Sequence, residues 1–285
     1  MRCSVQARET LVSSLRHEVA RLEMSRPPED ERPISTGSPA LDGLLPAGGL
    51  RRGTLVEYLT AGPGNGVGTL ALSAAREACQ EGRALVVVEQ DRGQGTGNRR
   101  QESVSRFYPP AAVAWGIDLS AVLVLRPVSE ADAVWALDQA LRCKGVGAVW
   151  VKCDRLDVRD FRRLQLAAEC GGTVGLFIRP ARLRGQPTWA DVQWEVRGRK
   201  DEGRRLKAEK RVRRSSFTPP PSSFRGLLAW RLEVELVHCR GATGGQKVLL
   251  ELDEAAGVWR EVSDEATHSL SVFSGLADST AARRA

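Results

Sequence analysis

Residues 34–70 read ISTGSPALDGLLPAGGLRRGTLVEYLTAGPGNGVGTL, and this stretch decides the fold. Leu55 to Leu59 reads as a strand, and Gly62-Pro63-Gly64-Asn65-Gly66-Val67-Gly68-Thr69 follows it. A strand that runs into a glycine-rich turn and then a helix is the layout of a phosphate-binding loop. Backbone amides cradle the phosphates, a lysine reaches the outer ones, and a Ser or Thr holds Mg2+. Counted from Gly62, the lysine position holds Gly68 and the hydroxyl position holds Thr69. The amides of Gly64 to Thr69 still form an anion-binding nest at a helix N-terminus, but the lysine is gone.

Four glycines in eight residues also make an ordinary turn, so the loop alone carries little weight. The residues before it carry more. Ile34-Ser35-Thr36-Gly37-Ser38, Leu41-Asp42, Gly48-Gly49-Leu50, Gly53, Glu57 and Gly62-Pro63 resemble, in order and spacing, the start of the RecA recombinase ATPase core. That resemblance implies an α/β protein: a RecA-like core with a mostly parallel β-sheet flanked by helices. An N-terminal helix and a C-terminal β-hairpin complete the expected fold.

The rest of the chain agrees with alternating strands and helices. Leu70 to Glu81 is expected as the helix after the loop, and Ala84 to Val88 as a strand buried on both faces. A helix-like segment before Pro109 follows. Val122 to Leu125, Val146 to Val151 and Gly175 to Ile178 read as further strands, Glu130 to Cys143 and Arg159 to Cys170 as helices. Ala190 to Val196 alternates like an edge strand, and Leu228 to Leu252 like a hairpin broken at Gly241-Ala-Thr-Gly-Gly245. The expected organisation is a helix and linker over 1–33, the core with its degenerate loop over 34–197 and a basic, Pro-rich loop over 198–226. A hairpin packing on the core over 227–262 and a partly disordered tail over 263–285 end the chain.

No apolar run approaches the roughly 20 residues that span a bilayer, and charges run throughout Met1 to Arg32, unlike a signal peptide. A cytoplasmic, nucleoid-associated protein with no membrane contact is expected. Six scattered cysteines and three dispersed histidines offer no metal-ligand spacing or catalytic triad, so no metal is expected. The formal charge is +7, and ten basic residues against three acidic ones between Arg197 and Arg214 account for all of it. Arg197, Arg199, Lys200, Arg204, Arg205, Arg213 and Arg214 are candidates for contact with nucleic acid or an acidic partner. No aromatic residue interleaves in this block to stack on bases. Near the N-terminus, Leu11, Leu15, Val19 and Leu22 form one apolar face of a helix over Thr10 to Met24, a candidate partner-binding element or a helix packed on its own domain.

The RecA resemblance also shows where chemistry is missing. The family's water-activating glutamate follows the strand after the loop helix, and Glu89 holds that place. The family's Walker B strand ends in an aspartate that holds Mg2+ through water. The matching strand Ala148-Val-Trp-Val151 runs into Lys152, which reverses the charge where a divalent cation belongs. Asp154, two residues on, is about 7 Å further along the strand. Gly68 and Lys152 therefore remove two contributions worth several kcal/mol each, and no ATP hydrolysis is expected. Gly62, Gly64, Asn65, Gly66, Gly68, Thr69, Glu89 and Lys152 make a vestigial nucleotide site, with residual ATP or phosphate binding left open if Lys152 reaches the phosphates. The segments matching the two DNA loops, Asp154 to Val158 and Ala181 to Trp189, are too short to clamp a strand. Arg179, Arg182 and Arg184 remain candidates to touch DNA or a partner acid.

Within the superfamily, degraded nucleotide chemistry, trimmed DNA loops and the ending Leu232-Glu-Val-Glu-Leu-Val-His-Cys-Arg-Gly241 with Val248-Leu-Leu-Glu-Leu-Asp253 resemble the ImuA family of bacterial mutagenesis proteins. The resemblance covers Ile34 to Asp253 and implies a non-catalytic accessory role in SOS-induced translesion synthesis. The implied partners are an ImuB-like inactive Y-family polymerase homologue and an error-prone C-family DNA polymerase, with RecA and single-stranded DNA as further candidates. Two alternatives belong to other classes. One is an enzyme, a RecA-type DNA-dependent ATPase using Thr69, Glu89 and Lys152, or a modulator of RecA filaments in recombination. The other is an SOS-linked regulator of cell division.

Overall fold

A computed structural model describes residues 32–62, 64–80, 82–89, 107–199, 231–253 and 257–262. The Thr10 to Met24 helix with Leu11, Leu15, Val19 and Leu22 lies outside the described residues, as do Lys200, Arg204, Arg205, Arg213, Arg214 and the tail.

The strands are β1 (Leu55–Thr60), β2 (Ala84–Val88), β3 (Val122–Leu125), β4 (Val146–Lys152), β5 (Val174–Pro180), β6 (Val192–Arg199), β7 (Arg231–Cys239), β8 (Lys247–Asp253) and β9 (Val258–Glu261). They form one nine-stranded sheet in the order β3-β2-β4-β5-β1-β6-β7-β8-β9. Strands β1 to β6 pair in parallel, and β6 to β9 continue the same sheet in antiparallel fashion. The helices are α1 (Pro39–Asp42), α2 (Val67–Ala78), α3 (Pro109–Ala114), α4 (Glu130–Arg142) and α5 (Val158–Gly171). A mostly parallel sheet flanked by helices is the RecA-like α/β architecture that the sequence implies.

Burial follows the two-residue period of the strands. Val56, Tyr58, Leu85, Val87, Ala148, Trp150, Leu176 and Ile178 share one core with Leu70, Ala71 and Ala74 of α2. Leu55, Val86, Val88, Val149, Val151 and Phe177 share the other with Leu137 and Leu141 of α4 and Phe161 and Leu164 of α5. Central strands buried on both faces explain the unbroken apolar runs ALVVV and AVWV.

Three local expectations change. The loop helix starts at Val67, not Leu70, because Gly66 at φ 74° is its N-cap and winds the loop straight into the helix. The helix-like segment expected before Pro109 lies outside the described residues; the described α3 begins at that proline, which suits a first helical turn because its missing N–H has no intrahelical partner there. The strand expected at the edge, β6, is interior, between β1 and β7. Its polar residues misled the reading: Gln193 and Glu195 are buried, Gln193 against the buried Glu57 and Glu195 against Arg184 and Arg197. The C-terminal hairpin forms as β7 and β8 and acquires a third strand, β9, whose four residues Val-Trp-Arg-Glu are too few to show a period.

Candidate functional site

The glycine-rich loop leaves β1 at the C-terminal end of the parallel strands, held by its neighbours. Asn65 Nδ2 donates to Thr60 Oγ1 at 2.6 Å, and Thr60 Oγ1 donates to the carbonyl of Gly62 at 3.2 Å. Gly64 and Gly66 both have positive φ, 80° and 74°, a conformation that glycine adopts freely. No side chain caps α2, so its first-turn amides keep the character of an anion site.

The segment before β1 is a collar on α2. Asp42 accepts Ser35 Oγ at 2.6 Å, the Thr36 N–H at 2.7 Å and Thr36 Oγ1 at 2.7 Å. Ser73 Oγ on α2 donates to the carbonyl of Thr36 at 3.0 Å. Gly37 has φ 84°, and a Cβ there would come within 2.6 Å of Ser73 Cβ. The carbonyl of Gly37 accepts the Trp259 N–H of β9 at 3.2 Å, so the collar also ties the last strand to the loop helix. The upstream motif thus braces the helix that follows the loop.

The register sets the floor of the site. Val88 lies opposite Val151, Lys152 opposite Ile178, and Ile178 opposite Tyr58. Glu89, one residue past Val88, therefore stands level with Lys152, and both fall on the α2 face with Tyr58 and Ile178. The sequence-predicted Thr69, Glu89 and Lys152 are brought to one end and one face of the sheet. Lys152 is exposed. Glu89 is 11% exposed, and its carboxylate accepts the Phe107 N–H and the Arg126 Nε–H, the latter at 3.0 Å. Each of the two carboxylate oxygens of Glu89 thus accepts one hydrogen bond.

Sequence reasoning missed Phe107, Arg126 and Trp150. Phe107 and Arg126 are far from any motif. Trp150 was readable as an oversized residue in the Walker B strand.

The basic candidates divide. Arg179 is corrected: it is 8% exposed, its Nη1 donates to the buried Glu57, and its guanidinium lies over Phe161 at 5.3 Å from the ring centroid. Burial and pairing remove it from any surface role. Glu57 also accepts Thr188 Oγ1 at 2.8 Å and Gln193 Nε2 at 2.7 Å. Arg184 bridges Glu195 and Glu235, two carboxylates directly opposite each other across β6 and β7. Its hydrogen bond to Glu235 outweighs desolvation and holds that carboxyl below the usual glutamate range. Arg197 pairs with Glu195 at 2.7 Å. Arg182 is exposed, and Arg199 ends β6.

Among the described residues no group of three or more His, Cys, Asp or Glu is arranged to hold a metal ion, and no helix is long and apolar enough to cross a membrane. The residues present do not fit Mg-ATP as a RecA-type site would hold it: a glycine replaces the lysine, and a lysine replaces the metal-holding carboxylate.

The chain is similar to Protein ImuA of Caulobacter vibrioides strain NA1000 / CB15N, 28% identical over 248 residues that cover 83% of this chain and 91% of that one. It is also similar to Protein RecA of Chlorobium chlorochromatii, 34% identical over 119 residues, 41% of this chain and 30% of that RecA. Protein RecA of Chlorobaculum tepidum matches in the same way, 34% over 117 residues. No family model matches the chain.

Proposed function

Because the chain is a RecA-like protein of the ImuA family, we propose that it is a non-catalytic accessory protein of the DNA-damage response that supports error-prone translesion synthesis. The observation that carries this reading is the contrast inside one site. The collar and loop of a RecA-type ATPase are folded and hydrogen-bonded, while Gly68 and Lys152 occupy the two positions that do its phosphate and metal chemistry. Selection for a shape without the reaction fits a protein that binds others and leaves catalysis to them. The partners in this reading are an ImuB-like inactive Y-family polymerase homologue and an error-prone C-family polymerase.

The test is reconstitution. Purified chain is mixed with the Y-family homologue and the C-family polymerase from the same genome. Complex formation is followed by size-exclusion chromatography with light scattering, and lesion bypass on a primed damaged template is measured with and without the chain. A ternary complex and stimulated bypass that survives Glu89→Gln support the proposal. Stimulated bypass that is lost in Glu89→Gln, or no complex with either polymerase, contradicts it.

A further inference from the structure

A side chain added at position 68 would face β4. Gly68 stands in the lysine position, and the heavy atom nearest to a Cβ built on it is Cζ2 of Trp150, at 3.8 Å. Trp150 lies two residues before Lys152 on β4, so the strand period puts both on the α2 face. The indole is 8% exposed. Phe107 packs against it with ring centroids 5.9 Å apart and planes at 59°, and the N–H of that same Phe107 holds Glu89.

A lysine leaving position 68 therefore starts against an aromatic ring. On the outer part of the loop the opposite holds, since a Cβ at Gly62 or Gly64 would meet no atom of the described residues within 4 Å. Trp150 Nε1 is buried and has no hydrogen-bond partner among the described residues. An aliphatic residue would leave no such orphaned donor. What the indole supplies at this place is volume.

We propose that Trp150 fills the space into which a lysine at position 68 would extend, so that the site is closed to nucleotide by packing as well as by lost charge. The proposal rests on the reading of the loop as non-hydrolytic. It carries an asymmetry: restoring the polar groups alone does not restore the site. Trp150 acts here as a specificity-determining residue, since it decides whether a lysine at 68 can turn toward a phosphate.

The experiment measures binding of the non-hydrolysable analogue Mg-AMPPNP by calorimetry, with folding of each variant checked by circular dichroism. Gly68→Lys with Lys152→Asp binds no tighter than the parent. Adding Trp150→Val to that pair tightens binding at least about tenfold, a gain of roughly 1.4 kcal/mol. A double variant that binds as tightly as the triple overturns the proposal, and so does a folded triple variant that binds no better than the double. If the valine variant does not fold, Trp150→Phe carries the same comparison. An independent readout uses the full chain labelled with 5-fluorotryptophan: Gly68→Lys shifts the fluorine resonance that Trp150→Phe identifies, and an unmoved resonance overturns the proposal. ATP turnover by the parent would contradict both the non-hydrolytic reading and the closed site, whereas a folded triple variant that binds no better than the double counts against closure by packing alone.

Discussion

The collar over Ile34 to Leu50 and the C-terminal end of β4 serve the same loop, and they have fared differently. In the collar the polar groups are tied to one another: Asp42 accepts from Ser35 and Thr36, and Ser73 donates to the carbonyl of Thr36. At the end of β4 the aspartate position is Lys152, and the residue two before it is a tryptophan whose indole would lie 3.8 Å from a Cβ at position 68. The comparison teaches that the architecture around a phosphate loop can be maintained by packing and hydrogen bonds that never involve phosphate. Substitutions should therefore be costly in the supporting frame and cheap in the loop itself.

The largest effect is expected in the frame, at Glu57 on the strand that feeds the loop. Glu57→Ala leaves Arg179 buried without its counter-charge and frees Thr188 and Gln193. Removing one partner of a buried pair costs about 3–5 kcal/mol, which urea unfolding will show as a lower midpoint at unchanged slope. Asp42→Ala comes next, at about 2–3 kcal/mol, because the buried Thr36 N–H and hydroxyl lose their acceptor. Equal stability of Asp42→Ala and the parent would break the claim that the collar is structural.

Arg184→Ala is smaller, about 1 kcal/mol at neutral pH after allowing for its exposure to solvent. It carries a pH signature. Arg184 lowers the folded-state pKa of Glu235, so the stabilisation is present above the ordinary glutamate range and is lost as pH falls through the folded value. The gap between parent and variant, measured by thermal unfolding across pH 3 to 7, should close on the acid side. A gap that widens toward acid would contradict the pairing. Smallest is Gly68→Ala in the loop. The new Cβ meets only an ordinary contact with Trp150 at 3.8 Å, and the helix gains up to about 1 kcal/mol of propensity. Clear destabilisation there would mean that the indole is packed more tightly than the geometry allows.

Much of this was legible in the sequence because the relevant signals are local. The unbroken apolar runs at Ala84 to Val88 and Ala148 to Val151 gave the central strands, and counting from Gly62 located the missing lysine. Contacts between distant segments were not legible. Nothing in Val192 to Val196 reveals that Gln193 would meet Glu57, 136 positions away, so a polar, alternating strand looked like an edge. Arg179 looked like a surface cation for the same reason: its partner Glu57 is 122 positions earlier and belongs to a neighbouring strand. The site shows the same division. Glu89 and Lys152 were found by motif spacing, whereas the hold of Phe107 and Arg126 on Glu89 depends on tertiary contacts that no spacing encodes.

The most direct test of the central claim, a RecA-like frame without its reaction, is steady-state ATP hydrolysis by the purified chain with and without single-stranded DNA, beside Glu89→Gln. The account predicts the same background rate in all samples, with no stimulation by DNA. Turnover that rises with DNA and disappears in Glu89→Gln would contradict it and return the protein to the class of DNA-dependent ATPases.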